Sequence, residues 1–363
     1  PLLREQKKYS DIINPILLHT GQHYDYKMSQ KIFGDLELPK PDVYLNVGSG
    51  THAEQTAKIM VPFEKYLVEN SPDLVLVVGD VNSTLACAVV ASKLHIPIAH
   101  VEAGLRSFDR EMPEELNRVV TDQLSDILFT TEQSATANLL REGRPKDKIF
   151  FTGNVMIDSL VNALDKVDDR ILNEYNLIPG EYIAVTLHRA SNVDDFETLK
   201  GIIEALLEVA SKIKVVFPVH PRTQNNFEKF NLTKSVESMP GKFITTEPVG
   251  YLDFVALQKN SRMVLTDSGG IQEESCFMKV PCLTLRNNTE RPITVDCGSN
   301  KILGTNPDII AKNAFELLDN PPDVIKTPEK WDGKASERII REIINLNKLD
   351  TNIPNPTVIS PQR

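Results

Sequence analysis

Leu74-Val75-Leu76-Val77-Val78-Gly79-Asp80 decides the fold class. Side chains along a strand point alternately to its two faces, so a run that is apolar at every position leaves no face for water. Such a strand needs cover on both sides, and parallel sheets obtain it from the helices that connect their strands. Lys214-Val215-Val216-Phe217-Pro218-Val219 repeats the pattern in the second half of the chain. Outward from these two runs, short apolar stretches alternate with amphipathic ones. Strands are expected at residues 12–19, 74–79, 96–101, 127–130, 149–152, 182–187, 215–219, 243–245, 263–266 and 281–284. Helices are expected at 52–69, 84–94, 114–124, 133–142, 196–211, 269–278 and 307–318. The alternation predicts an α/β protein with parallel sheets.

A chain of 363 residues is too long for one ordinary core. The expected division is two Rossmann-like, doubly wound domains, at residues 1–157 and 158–333, facing each other across a cleft. A last helix over 334–348 is available to pack back on the first domain, and 349–363, with three prolines, reads as a tail. Residues 1–8 read as the end of a helix that leads directly into the strand at 12–19. A doubly wound domain normally opens with a strand, so one strand and its loop are expected to be missing ahead of it.

The formal charge of −10 offers no basic stripe for nucleic acid. A diphosphate can still be held by a few arginines and a helix N-terminus. Cys87, Cys276, Cys282 and Cys297 form no CxxC pair and sit among apolar or small residues, which suits buried free thiols in a reducing compartment. With no apolar run of bilayer length and no signal peptide, the expectation is a cytoplasmic protein with no membrane partner.

Ligands of open α/β sheets bind beyond the carboxyl ends of the strands, so polar residues just after strands are the candidates. Asp80 stands in Gly79-Asp80-Val81-Asn82-Ser83-Thr84, where Ser83 or Thr84 is placed to cap the next helix. A plain capped loop fits this segment as well as a site does. Glu102 follows the next strand in His100-Val101-Glu102-Ala103-Gly104-Leu105-Arg106. An ion pair with Arg106 and a catalytic role suit it equally. Glu114 opens a helix at Pro113-Glu114-Glu115-Leu116-Asn117-Arg118 and shares a face with Arg118, four residues on. Carboxylates gathered in a dry cleft drive their pKa values apart, which yields an acid and a base.

In the second half, His188-Arg189 and His220-Pro221-Arg222 each end a strand, a pairing that suits an anionic ligand. Thr266-Asp267-Ser268-Gly269-Gly270-Ile271-Gln272-Glu273-Glu274 turns from strand to helix through two glycines. There the backbone can approach a phosphate, and free N–H groups meet it. Ser268 adds a hydroxyl, Glu274 is placed for ribose hydroxyls, and Arg291 follows the next strand. No GxGxxG, Walker or HExxH spacing occurs, which argues against redox dinucleotides, ATP and a catalytic metal; no cofactor is expected.

Taken together and in order, these segments resemble the non-hydrolysing UDP-N-acetylglucosamine 2-epimerase family from about Thr20 to the C-terminal helix. The resemblance implies a glycosyltransferase-B-like pair of Rossmann domains that closes on a UDP-sugar, usually as a homodimer. It implies removal of the C2 proton with loss of UDP, a bound 2-acetamidoglucal, and re-addition of UDP with a proton on the opposite face. The family's catalytic acids match Asp80, Glu102 and Glu114, and its catalytic histidine matches His188. Its UDP contacts match Phe254, Ser268, Gly269, Gly270, Glu274 and Arg291; Arg118, Arg189 and His220 join them as substrate-binding candidates. The family opens with a strand and an arginine-bearing loop that this sequence lacks. Gln22-His23 stands where allosterically activated members bind a second UDP-N-acetylglucosamine, so both are candidate allosteric or cleft residues. A diacetamido uronic acid UDP-sugar, a hydrolysing epimerase and a glycosyltransferase of the same fold are the rival readings.

Overall fold

A computed structural model describes residues 1–21, 34, 38–322 and 324–349. Three parallel ladders carry the chain. β1 (Leu18–His19) pairs with β2 (Val43–Tyr44). β3 (Val75–Val78), β4 (Ile98–Ala103), β5 (Ile127–Thr130) and β6 (Ile149–Phe151) form a four-stranded sheet in that order. β7 (Tyr182–Thr186), β8 (Lys214–Pro218), β9 (Phe243–Thr246), β10 (Met263–Thr266), β11 (Cys282–Thr284) and β12 (Asn300–Ile302) form a six-stranded sheet, ordered β12-β11-β10-β7-β8-β9. Every pairing is parallel.

In the larger sheet the order runs outward from β7 on one side and from β10 on the other. The crevice between those two strands is therefore the switch point, where ligands of such sheets bind. The two-sided burial read from the sequence is visible strand by strand. Ile183 and Val185 of β7 enter one core cluster with Val215 and Phe217, while Tyr182 and Ala184 enter another with Val216 and Val264.

The four-stranded sheet is covered in the same way. On one face lies α1 (His52–Asn70), which buries Gln55, Ile59, Phe63 and Leu67 at a four-residue spacing. Its start is fixed by a capping box: Thr51 Oγ1 accepts from the Glu54 N–H, and Glu54 Oε2 accepts from the Thr51 N–H. On the other face the last helix, Ala335–Leu349, sets Ala335 and Ile339 against Ala99, Val101 and Phe129. Asp158 accepts the N–H groups of Ala335 and Ser336 at 3.0 and 2.6 Å, supplying two of that helix end's missing partners. Trp331, 1% exposed, packs on Ile157, Cys276 and Cys297 and donates to the Thr131 carbonyl, so one side chain spans elements of both sheets.

The expected strand at 12–19 shrinks to Leu18–His19. Ile12 and Ile16 are 53% and 46% exposed, and Pro15 has no N–H to give a ladder. β2 and β12 escaped the reading because two or three residues are too short to show alternation. All four cysteines are buried and free. Among the described residues no helix is long and apolar enough to cross a membrane.

Candidate active site

Two strand ends of the smaller sheet carry the first acids. After β3 the chain turns through Gly79, and Asp80 Oδ2 meets Arg118 Nε at 2.9 Å and Nη2 at 2.8 Å. Arg118 belongs to α2 (Pro113–Leu124), whose Pro113 takes the first helical position as expected. It is 2% exposed, and its Nη1 lies 2.5 Å from Glu115 Oε2. Its partner on the helix is thus Glu115, three residues away, and not Glu114. Glu115 also accepts the N–H groups of Ser107 and Phe108, which ties the loop after β4 to the helix. Glu114 stays half-buried at the helix start.

Glu102 sits at the end of β4, where the register shifts between Val101 and Ala103. Its φ is +71°, in the left-handed region that a residue with a Cβ seldom enters. Backbone held there by its surroundings is a feature of functional sites. Arg106 does not neutralise it: Arg106 turns to Asp122 and Glu142, each at 2.7 Å. The cation that meets Glu102 is Arg291, whose Nη2 lies 3.3 Å from Oε2.

The switch point of the larger sheet supplies the other wall. Thr186 and Thr266 are register partners, so His188 and Ser268 emerge side by side two residues later. Asp267 is fully buried between them and organises both strand ends. Its carboxylate accepts the N–H groups of His188 and Arg189 and faces His188 Nδ1 at 3.0 Å. An imidazole whose Nδ1–H is given to a carboxylate has a fixed tautomer, with the Nε2 lone pair free to act. The ring is 44% exposed. Ser268 caps the helix α3 (Gly269–Met278) by position, without a side-chain cap bond, and its hydroxyl is left for other use.

Gly269 is needed for space, since a Cβ there would stand 2.4 Å from Glu290 Oε1; at Gly270 a Cβ would meet nothing within 4 Å. Glu274, 3% exposed, accepts from Tyr251 Oη at 2.9 Å and Gln258 Nε2 at 2.7 Å. Both of its oxygens are thus engaged within the protein. Burial pushes its carboxyl up, against the pull of those two donors. Phe254 packs in the same layer as Ile271.

Arg291 joins the two walls. It is 7% exposed and pairs through Nε with Glu273 Oε1 at 2.7 Å, besides its contact with Glu102. Burial alone would lower it, but Glu273, Glu102, Glu290 and Asp80 together hold it above the usual arginine range. Glu273 is pushed up to about 8 by burial despite Arg291, and Glu132 to about 7 by burial despite Ser134 and Arg291. Glu290 goes the other way: burial is outweighed by Arg291 and Arg286, and its carboxyl falls well below the usual range. Burial and Arg286 draw Arg189 down, while Glu290, Glu114 and Asp267 oppose them, so Glu114 acts on Arg189 across the gap. Asn154–Glu273 at 2.8 Å and Asn288–Asp109 at 2.9 Å also cross it.

Asp80 and Glu102 of the smaller sheet thus act on Arg291, and Glu114 on Arg189, with His188 and Ser268 at the neighbouring strand ends. One capping expectation changes. Neither Ser83 nor Thr84 caps the helix after β3: Val81 is the cap residue, Thr84 Oγ1 donates to the Val78 carbonyl, and Ser83 Oγ bonds Thr20. Arg222 is paired with Asp194 across the surface. His220 caps the helix Pro221–Lys229, its Nδ1 accepting from the Arg222 N–H at 3.2 Å. Gln22 and His23 lie outside the described residues. The reading missed Asp267, Glu115, Glu273 and Glu290; an acid between a strand end and Ser-Gly-Gly was the one available signal, for Asp267. A cavity of about 600 Å³ lies elsewhere, among Lys212, Lys214, Lys242 and Arg262 at the amino ends of the larger sheet, the edge opposite the acids. Among the described residues no group of three His, Cys, Asp or Glu is arranged to hold a metal.

Known proteins share the sequence pattern and fold of this chain. The family model described as UDP-N-acetylglucosamine 2-epimerase matches residues 5–344. A UDP-N-acetylglucosamine 2-epimerase of Methanocaldococcus jannaschii is 46% identical over 347 residues, covering 94% of this chain and 93% of that protein. A UDP-2,3-diacetamido-2,3-dideoxy-D-glucuronate 2-epimerase of Pseudomonas aeruginosa is 44% identical over 318 residues, covering 86% of each. The crystal structure of the M. jannaschii UDP-GlcNAc 2-epimerase in complex with UDP-GlcNAc and UDP superposes with a TM-score of 0.87 at 46% identity, over 95% of each chain. The two sheets with their helices are therefore the expected pair of Rossmann-like sets in a glycosyltransferase-B-like arrangement. Matched along nearly its whole length in both sequence and fold, the chain belongs to the UDP-N-acetylglucosamine 2-epimerase family.

Proposed function

We propose that the chain interconverts UDP-N-acetylglucosamine and UDP-N-acetylmannosamine without releasing free sugar, by elimination and re-addition of UDP. The observation that carries this reading is Glu102 at 3.3 Å from Arg291, a carboxylate and a phosphate-type cation in one enclosed gap. A C2 proton beside an acetamido group is very weakly acidic, so its removal needs a positioned base and simultaneous departure of the diphosphate. The proton passes to a carboxylate, and the C–H electron pair forms the C1=C2 bond of a 2-acetamidoglucal. The C1–O pair leaves with UDP. Return of UDP to C1, with a proton on the other face of C2, completes the inversion.

Asp80, Glu102 and Glu114 are the proton carriers in this scheme, and His188 Nε2 faces the leaving group. Ser268, the amides of Gly269 and Gly270, Arg189 and Arg291 receive the diphosphate, with Phe254, Glu274 and His220 around the nucleoside. Arg118, enclosed by Asp80 and Glu115, holds Asp80 in place. General acid–base help is worth about 10²–10⁴-fold, so retaining glucal and UDP together supplies much of the remaining rate. The same reading assigns residues 1–157 to the lobe with the acids and 158–333 to the lobe that grips UDP. Family resemblance supports a cytoplasmic homodimer.

The test is incubation with UDP-N-acetylglucosamine in deuterated water. Deuterium at C2 of intact UDP-N-acetylmannosamine is expected. Free N-acetylmannosamine would indicate hydrolysis, and unexchanged substrate would end the proposal. The P. aeruginosa relative favours a second reading, epimerisation of UDP-2,3-diacetamido-2,3-dideoxy-D-glucuronate. The same assay with that sugar, comparing kcat/KM, decides between them.

A further inference from the structure

His100 is fully buried on β4, two residues before Glu102. Its Nε2 lies 2.9 Å from the carbonyl oxygen of Gly79, the residue before Asp80. Its Nδ1 lies 2.7 Å from Asp122 Oδ1, on α2, the helix that carries Glu114 in its first turn. A carbonyl can only accept, so Nε2 carries a hydrogen. Asp122 is also an acceptor here, because Oδ2 takes the Gly104 N–H at 3.0 Å and Arg106 Nη2 at 2.7 Å. Donors gathered on a carboxylate favour its ionised form. Nδ1 therefore carries a hydrogen too. A neutral imidazole has one bare nitrogen, and either tautomer would set a lone pair against an acceptor.

We propose that His100 is a doubly protonated imidazolium and a positioning residue that locks together the three elements bearing Asp80, Glu102 and Glu114. One hydrogen bond fixes the turn before Asp80, the other fixes the helix of Glu114, and the ring itself rides on the strand of Glu102. Asp122 extends the lock beyond the left-handed Glu102 by holding Gly104, whose carbonyl accepts from Asn138 Nδ2 at 3.0 Å. A Cβ on Gly104 would stand 2.3 Å from the Ala135 carbonyl, so the chain there has no slack.

The charged groups acting on the ring are Asp122 from the helix and Glu102 on its own strand, and Arg106 in the following loop pairs with Asp122 and Glu142. Burial alone pulls His100 down, but Asp122, the Gly79 carbonyl and Glu102 outweigh it and the net displacement is upward. Asp122 is displaced downward, since His100 and Arg106 outweigh its own burial. The lock is therefore complete below the folded-state pKa of His100 and is lost as pH rises through it.

The inference rests on the proposed reaction for its kinetic test alone. The direct test is the protein labelled with [15N]histidine, with the His100 signals identified by their absence in His100→Asn. At about pH 8, above the ordinary histidine value of about 6.5, both ring nitrogens are expected to show imidazolium shifts. A bare Nδ1 or Nε2 overturns the proposal. In the C2-exchange assay His100→Asn is expected to lose about 100-fold in kcat, the scale of a displacement near 1 Å, with KM and UDP affinity nearly unchanged. Asp122→Asn is expected to bring the alkaline fall of kcat to lower pH. A kcat equal to that of the parent, or a rise in KM matching the fall in kcat, overturns the positioning role. Should the parent protein exchange deuterium into neither UDP-sugar, the proposed reaction fails, while the nitrogen shifts still decide the charge on His100.

Discussion

Asp80 and Glu102 stand at the rim of the gap, with side chains 26% and 11% exposed, and each meets an arginine. Glu273 and Glu132 lie beneath them, 1% and 2% exposed, and each has one carboxylate oxygen without a hydrogen-bond donor. Both tiers surround Arg291, yet their chemistry differs. A rim carboxylate can reach a sugar and exchange its arginine for a proton. A floor carboxylate is shut off from the surface, and burial favours its neutral form, so it supports the arginine without competing fully for it. Under the proposed reaction, the contrast gives catalysis to the rim and the tuning of Arg291 to the floor.

The largest effect should come from the rim. Glu102→Gln is expected to reduce C2 exchange by about 10³-fold, within the usual range for a lost acid or base. UDP affinity by calorimetry should hold or rise, because Arg291 loses a competing carboxylate. Turnover at the parent rate would remove Glu102 from the mechanism and dissolve the distinction between tiers.

Arg291→Met probes the residue the tiers share. A hydrogen bond to a charged group is worth about 1.5–3 kcal/mol, so UDP binding should weaken by roughly 10–100-fold. The melting temperature should fall as well, because Glu273 loses its ion-pair partner at 2.7 Å. Loss of binding without loss of stability would mean that the floor acids do not depend on the arginine.

The two glycines at the start of α3, the helix proposed to meet the diphosphate, separate packing from ligand approach. Gly269→Ala drives a methyl onto Glu290 Oε1 and should cost about 1–3 kcal/mol of stability, the usual scale of overpacking. Gly270→Ala meets no protein atom within 4 Å, so the fold should tolerate it while UDP affinity drops by about tenfold if the diphosphate approaches that backbone. Equal melting temperatures for both variants would contradict the packing around Glu290.

The strand ends were legible because a both-faces-apolar run followed by Gly-Asp or by Asp-Ser-Gly-Gly has one sensible place in a parallel sheet. Partner choice was not. The sequence offered Arg106 to Glu102 four residues away, but the actual cation is 189 residues distant and arrives only when the two sheets face each other. Arg118 had acids at both three and four residues before it on one helix face; loop contacts at Ser107 and Phe108 selected Glu115. Asp267 was in view, yet its duty to two backbone amides of a strand 78 residues earlier follows from the β7–β10 register and from nothing local. The floor acids left no signal, since a glutamate inside a helix, like Glu273, or just before one, like Glu132, reads as an exposed residue until the helix is packed.

Glu132→Gln tests the floor with the smallest expected change. In the folded protein burial raises Glu132 to about 7, above the ordinary glutamate value of about 4.3 that holds in the unfolded chain. Between those values the folded state binds more protons than the unfolded state, so stability falls as pH climbs through that window and levels off above it. A glutamine carries no ionisable proton, and its oxygen can still accept from Ser134. The variant should match the parent near pH 5, where Glu132 is already largely neutral in the fold. It should then gain on the parent as pH rises to 8.5, by an amount of order 2–3 kcal/mol, given about 1.4 kcal/mol for each of the roughly two pH units between 5 and 7. Urea unfolding of both proteins at several pH values reads the difference directly. A constant gap across that range would mean that Glu132 stays charged beneath Arg291, and the rim and the floor would then share one electrostatic character.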